Sequence, residues 1–463
     1  MKPIPLFAMS IAAAALLLPA LAAQTSTADA QRLLPEDFRY RGAFRLPTGG
    51  ERPKTFAYGG NAMTFNPDGD GAGPRDGFPG SLFVMGHDRL AYGELPNGNQ
   101  VAEVSIPKPV KSKDLTALNR AQFLQPFRDV AKGRFRNMAE IPTVGLEYLN
   151  TPATGAKIHI GWGQHYAPER GGGTHGWFDP NLAQPNFQGT WSIGNRSFYS
   201  VNGYLFAIPT AWAEQHAGGR SLATGRFRDG GWSGMGPALF AYRPWIDDAG
   251  TPAPPGTRLA ETALLLYQSS ENTDKIERCL NGYQHPDAWE GGAWITTKSG
   301  KSAVLFAGTK GTGRKYWYGF INPAGAHLPC VHAAAAEWVN PCIRRNGKPC
   351  PPQDLIECAG HDDNRGWWSA RFDAQFILYD PAHLAQVAAG EMQTWQPQPY
   401  AALDVDRHLY LTSDPDVDQL AGWGVQRKHR LGAVAFDRAH GLLYVIEPYA
   451  DAAAPVVHVW KLR

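Results

Sequence analysis

The sequence predicts an all-β protein, a five-bladed β-propeller closed by its own N-terminal strand. A unit made of Gly, a short apolar strand, a turn and a more apolar strand occurs five times. Aromatic residues make up 11% of the chain, which favours strands. Gly 51 and Pro 37 in 463 residues indicate many turns. Their combined share lies below the roughly 25–30% that is typical of low-complexity chains. Radial repetition of such units is typical of a propeller, and a pair of stacked β-sandwiches is the alternative.

Each copy of the unit supplies the first two strands of one predicted blade. The copies are Gly60–Phe65 with Ser81–Asp88, Gly145–Leu149 with Lys157–Gln164, Gly194–Phe198 with Tyr204–Pro209, Gly292–Thr296 with Ser302–Thr309, and Gly432–Phe436 with Leu442–Glu447. Third strands are predicted at Val101–Ile106, Ala238–Tyr242, Gln375–Tyr379 and Val456–Trp460, and a fourth at Ala263–Tyr267. The chain ends just after Val456–Trp460, so the strand Tyr40–Leu46 is predicted to complete the last blade and tie the ends of the ring together.

The N-terminal segment, residues 1–23, is predicted to be a signal peptide rather than part of the fold. Lys2 is followed by the apolar run Leu6–Leu18 and by the small-x-small sequence Ala20-Leu21-Ala22. The run is too short to span a bilayer, and no later stretch reaches 18 consecutive apolar residues. We therefore expect a secreted or periplasmic protein without a membrane span, with one propeller domain over residues 32–463.

The cysteines agree with export. Cys279, Cys330, Cys342, Cys350 and Cys358 fall in one part of the chain, four of them in a predicted insertion, residues 321–365. Their separations lack the paired spacing of a zinc site, so an oxidising compartment predicts two disulfides that staple the insertion. The pairing and the remaining cysteine are left open, as is the oligomeric state.

Charge excludes one class of partner. Lys+Arg 44 against Asp+Glu 42 gives a formal net charge of +2. Nucleic-acid binding usually needs a basic face that neutralises many phosphates, so no nucleic-acid partner is expected. The predicted partner is a carbohydrate or another polar small molecule.

The repeat geometry predicts a polar funnel at one end of the propeller axis. Innermost strands would begin near Asn61, Glu147, Asn195, Glu290 and the pair His429, Arg430, while loops after the second strands would carry His87, His165, Tyr166 and Lys310. Glu147 and Glu290 could divide acid and base roles in hydrolysis or lyase-type cleavage of a glycan. The candidate catalytic residues are thus Glu147, Glu290, His87 and His165. The candidate substrate-binding residues are Asn61, Asn195, Tyr166, Trp289, Lys310 and Arg430.

Other interpretations stay open. The chain could be a binding or scaffold propeller without catalysis, since a fold does not specify a function. The two glutamates with Asn61 and Asn195 could hold Ca²⁺ through oxygen ligands. The Asp68-Gly-Asp-Gly loop also suggests Ca²⁺, although an acidic β-turn is favoured because Pro79 stands where an EF-hand loop has its glutamate.

Two stretches carry a family resemblance. Tyr283–Trp294 and Leu431–Asp437 resemble secreted bacterial β-propeller proteins whose function is not established. Within the first stretch, Glu290-Gly-Gly-Ala-Trp294 is similar to the Glu-Gly-Pro-x-Trp opening of gluconolactonase-like propellers, whose glutamate binds a metal at the ring centre. Gly292 replaces the proline and the repeat number differs. The resemblance implies a metal-dependent lactonase-like hydrolase with Glu290 as a ligand.

Overall fold

A computed structural model describes residues 31–71, 73, 78–86, 100–134, 144–163, 172–201, 203–226, 233–244, 253–269, 278–284, 286–315, 369–412 and 429–463. Strands dominate these residues. In chain order they are β1 (Phe38–Arg45), β2 (Met63–Asn66), β3 (Ser81–Met85), β4 (Val101–Ser105), β5 (Phe123–Arg128), β6 (Val144–Thr151), β7 (Gly155–Trp162), β8 (His175–Phe178), β9 (Gln188–Ile193), β10 (Tyr204–Ala207), β11 (Leu222–Gly225), β12 (Leu239–Tyr242), β13 (Arg258–Leu259), β14 (Glu261–Leu265), β15 (Ala288–Thr296), β16 (Ser302–Lys315), β17 (Ser369–Tyr379), β18 (Ala401–Asp404), β19 (Val434–Asp437), β20 (Leu442–Asp451) and β21 (Ala454–Leu462). Helix α1 (Thr210–His216) lies between β10 and β11, and helix α2 (Pro381–Ala388) lies between β17 and β18.

The strands form five sheets, which we number as blades 1 to 5. Blade 1 has the order β2-β3-β4-β5, blade 2 β6-β7-β8-β9-β13, blade 3 β10-β11-β12-β14 and blade 4 β15-β16-β17-β18. Blade 5 has the order β19-β20-β21-β1, so its outermost strand comes from the N-terminal part of the chain. The first strands of successive blades (β2, β6, β10, β15 and β19) contact one another in a closed cycle. The protein is therefore a five-bladed β-propeller, and the sandwich alternative is excluded.

The core consists of apolar layers between neighbouring blades. Five buried clusters occupy the contacts between blades 1 and 2, 2 and 3, 3 and 4, 4 and 5, and 5 and 1. Strand β3 shows how the sequence builds them, because Leu82 and Val84 face blade 5 while Phe83 and Met85 face blade 2. Side chains alternate between the two faces of a strand, so a strand buried on both faces reads as one continuous apolar run.

The predicted register of the third repeat is wrong. Tyr204–Ala207, predicted as a second strand, is the innermost strand of blade 3 and contacts β6 and β15. Gly194–Phe198, predicted as the innermost strand, belongs to the connection that follows β9. Ile193 pairs with Leu259 of β13, and the Gly194 amide donates to the Leu259 carbonyl, so this segment is tied to the outer edge of blade 2.

The predicted closing strand is confirmed. β1 pairs antiparallel with β21, with Tyr40 opposite Trp460. The other edge of β1 is covered as well, since Ala43 bridges to Val110 and Arg45 bridges to Arg120 in the connection between β4 and β5. An unpaired edge strand is a template for association with other chains, so this cover protects the blade that joins the chain ends.

A buried polar group, which we call the closing lock, holds β1 in place: Tyr40, Glu447, His458 and the backbone of Tyr410 and Leu411. Tyr40 Oη lies 2.9 Å from His458 Nδ1, and His458 Nε2 lies 2.8 Å from Glu447 Oε2. Glu447 Oε1 accepts hydrogen bonds from the Tyr410 and Leu411 amides at 2.9 and 3.0 Å. Burial, with the nearby Tyr410 and Glu447, raises the pKa of Tyr40, so its phenol stays protonated. The lock joins β1, β20, β21 and the connection from blade 4 to blade 5.

Two buried histidines between blades 2 and 3 make stability depend on pH. Burial lowers the pKa of His175 to about 3, and burial with the charges of His175 and Lys157 lowers the pKa of His159 to about 3. His175 lies between the hydroxyls of Thr174 and Thr224, at 2.8 and 3.0 Å from its two ring nitrogens. Both rings are thus neutral in the folded protein at pH 7.

We expect the protein to lose stability as the pH falls below about 6.5, with the loss continuing toward pH 3. In that window the unfolded chain binds a proton at each histidine and the folded chain does not, so each costs about 1.4 kcal/mol per pH unit. Urea unfolding at pH 7, 6 and 5 measures this, and His175→Gln should reduce the slope by about the share of one histidine. An unchanged slope in His175→Gln would contradict the assignment.

Other predictions fall outside the described residues. These include the signal peptide and the insertion with Cys330, Cys342, Cys350 and Cys358. Cys279 is half-buried, and its carbonyl accepts a hydrogen bond from Gln398. Among the helices of the described ranges, none has the length and apolar character needed to cross a membrane.

Candidate functional site

The five innermost strands surround the propeller axis, and we call the space between them the channel. They all run in the same direction, because each begins where the chain arrives from the preceding blade. We call the end at which they begin the upper end and the other the lower end. Glu290 and Arg430 lie near the upper end, whereas Glu147 and Arg438 lie toward the lower end.

Glu290 is placed by a β-bulge near the beginning of β15. Trp289 pairs with Gly308 and Gly291 pairs with Ala307, which leaves Glu290 as the extra residue. Gly308 makes this possible, because a Cβ there would lie 1.8 Å from the Ala288 carbonyl oxygen. Bulges redirect side chains and are frequent beside functional sites.

Only one oxygen of the Glu290 carboxylate is bound by the described part of the protein. Arg430 donates from Nη2 to Glu290 Oε1 at 2.7 Å, and the Glu290 side chain is only 2% exposed. Oε2 is buried and has no hydrogen-bond partner among the described residues. A buried acceptor without a donor is costly, so a missing donor is expected at this oxygen.

Arg430 and two tyrosines complete the upper end of the channel. Arg430 Nη1 lies 3.4 Å from Tyr449 Oη, and its guanidinium carbon lies 5.4 Å from the Tyr449 ring centre. The Tyr58 ring is 6.0 Å from that of Tyr449. Burial acts to lower the pKa of Arg430, but Glu290 and Tyr449 outweigh it and raise that pKa. Arg430 is therefore always a cation.

The backbone conformations of Tyr58 and Tyr449 are unusual. Their φ angles are 60° and 59°, a left-handed conformation that bulky residues rarely adopt. The Tyr58 amide donates to the Ala453 carbonyl at 2.8 Å, which pins this connection to the hairpin between β20 and β21. Strain of this kind concentrates at ligand sites, where surrounding structure imposes it. The sequence prediction missed both tyrosines; the aromatic residue before Gly59-Gly60 was the only available signal.

Asn61 lies at the same end of the channel, as predicted. It is 5% exposed and stands two residues before β2. The Gly60 carbonyl accepts a hydrogen bond from the Ala433 amide at 3.4 Å, which brings the beginnings of blades 1 and 5 together. Asn61 therefore stays a candidate for ligand binding.

Glu147 belongs to a different cluster, to which all five blades contribute one residue. Glu147 Oε1 accepts from the Ala207 amide at 2.9 Å, and Oε2 accepts from Thr64 Oγ1 at 3.2 Å. Arg438 donates to the carbonyls of Trp294 and Ala207 at 2.7 and 2.8 Å. We call these residues (Thr64, Glu147, Ala207, Trp294 and Arg438) the five-blade cluster.

The charges of the five-blade cluster are balanced. Burial raises the pKa of Glu147, opposed by Arg438 and the two hydrogen bonds. Burial lowers the pKa of Arg438, opposed by Glu147. Glu147 is half-buried, and Arg438 is exposed just after the end of β19. Glu147 thus has a structural role in this cluster.

The two glutamates do not share one level of the channel. Glu147 binds the amide of Ala207, whereas Gly292 packs against the Phe206 ring, with a built Cβ 2.6 Å from it. Glu290 stands two residues before Gly292 and is therefore about level with Tyr204. That position is three residues nearer the upper end than Ala207, which Glu147 binds. At the rise of a β-strand this is roughly 10 Å along the axis. The predicted arrangement, with both glutamates at strand beginnings in one funnel, is wrong for Glu147.

Three other candidates are held outside the group formed by Glu290, Arg430 and the two tyrosines. Asn195 is exposed in the connection after β9, because the third repeat has a different register. Trp289 is 1% exposed in the apolar layer between blades 3 and 4, so it does not line the channel. Lys310 lies within β16 and binds the buried carboxylate of Asp287 at 2.9 Å. An ion pair accounts for the position of Lys310, and packing in the apolar layer accounts for that of Trp289.

The remaining candidates, His87, His165 and Tyr166, lie outside the described residues. In the acidic loop, Asp68 accepts a hydrogen bond from Tyr148 Oη at 2.7 Å and Asp70 accepts one from the Gly73 amide at 3.1 Å. Within the described ranges, no group of three or more His, Cys, Asp or Glu residues could hold a metal ion. At Glu290, the guanidinium of Arg430 lies 2.7 Å from one carboxylate oxygen, and its positive charge would repel a metal cation there.

Comparison with known proteins adds only distant likenesses. No family model and no curated protein matches the chain. Solved structures similar to it include the β-propeller domain of Myceliophteria thermophila Cps50 (Swd1), with 10% identity, 92% of this chain and 100% of that chain covered, and a TM-score of 0.25. A glucose dehydrogenase is 11% identical, with 89% and 99% covered and a TM-score of 0.28. The PQQ domain of Coprinopsis cinerea pyranose dehydrogenase is 10% identical, with 82% and 90% covered and a TM-score of 0.28. Likenesses of this size do not extend to function.

Proposed function

We propose that this chain is an exported propeller that binds a carbohydrate, or a similar polyhydroxylated small molecule, at the upper end of its channel. The observation that carries the proposal is the second oxygen of Glu290, which is buried without a donor. A ligand hydroxyl would supply that donor. Tyr449 contacts Arg430, the partner of Glu290, and the Tyr58 ring lies 6.0 Å from that of Tyr449. Aromatic residues of this kind combine an apolar ring with a polar tip.

Binding is proposed ahead of cleavage. Glycan hydrolysis generally needs two proton-transfer groups about 5–9.5 Å apart across the scissile bond. Glu147 is held in the five-blade cluster, with roughly 10 Å of axial offset from Glu290. Cleavage would therefore depend on another partner for Glu290, and His87 and His165 are the predicted candidates. A metal-dependent lactonase is disfavoured by the salt bridge between Glu290 and Arg430.

We expect Glu290→Gln to weaken glycan binding about 10- to 100-fold, because hydrogen bonds to a charged acceptor contribute about 1.5–3 kcal/mol. Glu147→Gln is the matched control, and it should leave affinity within about twofold while lowering the melting temperature. A glycan array identifies ligands, and calorimetry measures affinity in both variants. Equal losses in the two variants would contradict this assignment of the site.

Catalysis and metal dependence are tested on the same preparation. A reducing-sugar assay and an assay for unsaturated products, run with each glycan that binds, distinguish a binding protein from a hydrolase or lyase. Metal analysis of the purified protein tests the lactonase alternative. Turnover that Glu290→Gln abolishes would move the conclusion from binding to cleavage at the same site.

A further inference from the structure

The charges around Glu290 restrict the ligand further, if the proposed function is correct. The group without a hydrogen-bond donor near Glu290 is a carboxylate oxygen, Oε2, and an ionised carboxylate only accepts hydrogen bonds. Its partner must therefore bring an O–H or N–H group. A ligand that offers only acceptors at this point would leave the buried oxygen unsatisfied.

Arg430, the cation that the described residues place beside Glu290, is already engaged. In sites that recognise carboxylates, an arginine commonly presents two parallel N–H groups to the two ligand oxygens. Here one side of the guanidinium is committed to Glu290 at 2.7 Å, and Nη1 lies against the Tyr449 hydroxyl. The pair of Glu290 and Arg430 carries no net charge. The positive charge of Arg430 is therefore already balanced by Glu290 and would attract a ligand carboxylate only weakly.

A ligand carboxylate would also meet a like charge. Glu290 is 2% exposed, so its charge is poorly screened by solvent, and an anion placed against Oε2 would be repelled. A hydroxyl in the same place donates to Oε2 and is uncharged. The remaining N–H groups of Arg430, whose side chain is 18% exposed, can donate to a neighbouring hydroxyl oxygen.

We infer that the sugar residue held at Glu290 is an uncharged, hydroxyl-bearing unit and not a uronic acid. Two neighbouring hydroxyls match the site, since one donates to Glu290 and the other accepts from Arg430. The sugar ring would lie beside Tyr58 and Tyr449. Glu290 thus acts as a specificity-determining residue that selects against acidic glycans.

The test compares neutral and acidic oligosaccharides of the same length on the wild-type mature protein. The probes are tetrasaccharides of glucose, mannose and galactose, with tetragalacturonate and tetraglucuronate as acidic counterparts, at pH 7 and low salt. We expect the best neutral probe to bind at least tenfold more tightly than either uronate. Equal or tighter binding of a uronate would overturn the inference and leave the proposed function standing.

Glu290→Gln provides the second arm. The amide removes the negative charge and adds an N–H donor, so affinity for the neutral probe should fall while affinity for the uronates should stay or rise. The ratio of the two affinities should therefore shrink at least tenfold, and an unchanged ratio would contradict a role for Glu290 in selection. The wild-type comparison does not depend on the folding of this variant. If neither the array nor these probes show binding, the proposed function fails along with the inference.

Discussion

Replacing Glu447 by alanine is expected to lower the free energy of unfolding by about 3–5 kcal/mol, the cost of breaking a buried charged network. Glu447 is 2% exposed and binds His458 together with the amides of Tyr410 and Leu411. Its loss would leave a fully buried histidine nitrogen and two amide groups without their acceptor. Urea unfolding followed by tryptophan fluorescence, with melting curves, measures the change.

Asp451→Ala is the matched control on the same strand. Asp451 pairs with Arg45, but both side chains are partly exposed, at 16% and 20%. The pair is bidentate but partly solvated, so we expect Asp451→Ala to cost about 1 kcal/mol, well below the cost of Glu447→Ala. If the two variants lose the same stability, the closing lock is no stronger than a surface ion pair.

Replacing Gly42 by alanine is expected to lower the free energy of unfolding by about as much, because β1 lies tightly against Val110 at this residue. Its φ angle is 120°, and a Cβ there would lie 2.5 Å from the Val110 carbonyl carbon and 2.6 Å from its oxygen. The backbone strain alone costs about 1–3 kcal/mol, and the clash with backbone adds to it. We expect a loss of at least about 3 kcal/mol, or a variant that does not accumulate as folded protein.

Gly49→Ala separates the two causes. Gly49 also has a positive φ, of 92°, but nothing lies within 4 Å of a built Cβ. This variant should therefore show the conformational cost alone and should remain folded. Soluble yield, circular dichroism and urea unfolding are compared for both variants. A Gly42→Ala protein as stable as Gly49→Ala would mean that β1 can move away from Val110 freely, and that close packing of β1 is not needed for ring closure.

The five blades could be predicted because their signals are local. The run Leu82–Met85 is apolar on both faces, as a strand between two packed layers requires. The strand at Tyr40 could be assigned to the last blade because the fifth repeat supplies only three strands of its own. The strand pattern alone gave the wrong register for the third repeat, because Gly194–Phe198 and Tyr204–Ala207 both match it. Only contact with β6 and β15 identifies Tyr204–Ala207 as the innermost strand.

The sequence also indicated that Glu290 and Arg430 stand near one end of the axis, since position within a repeat sets height along the channel. It did not show the bulge that redirects Glu290, which depends on how β16 pairs with β15. The partners of the charged groups were equally out of reach: Arg430 is 140 residues from Glu290, and Arg438 reaches backbone carbonyls in two other blades. Strand periodicity is a property of neighbouring residues and can be recognised in the sequence alone. The neutralisation of a carboxylate depends on which distant groups the closed ring brings within about 3 Å, and that arises from packing of the blades.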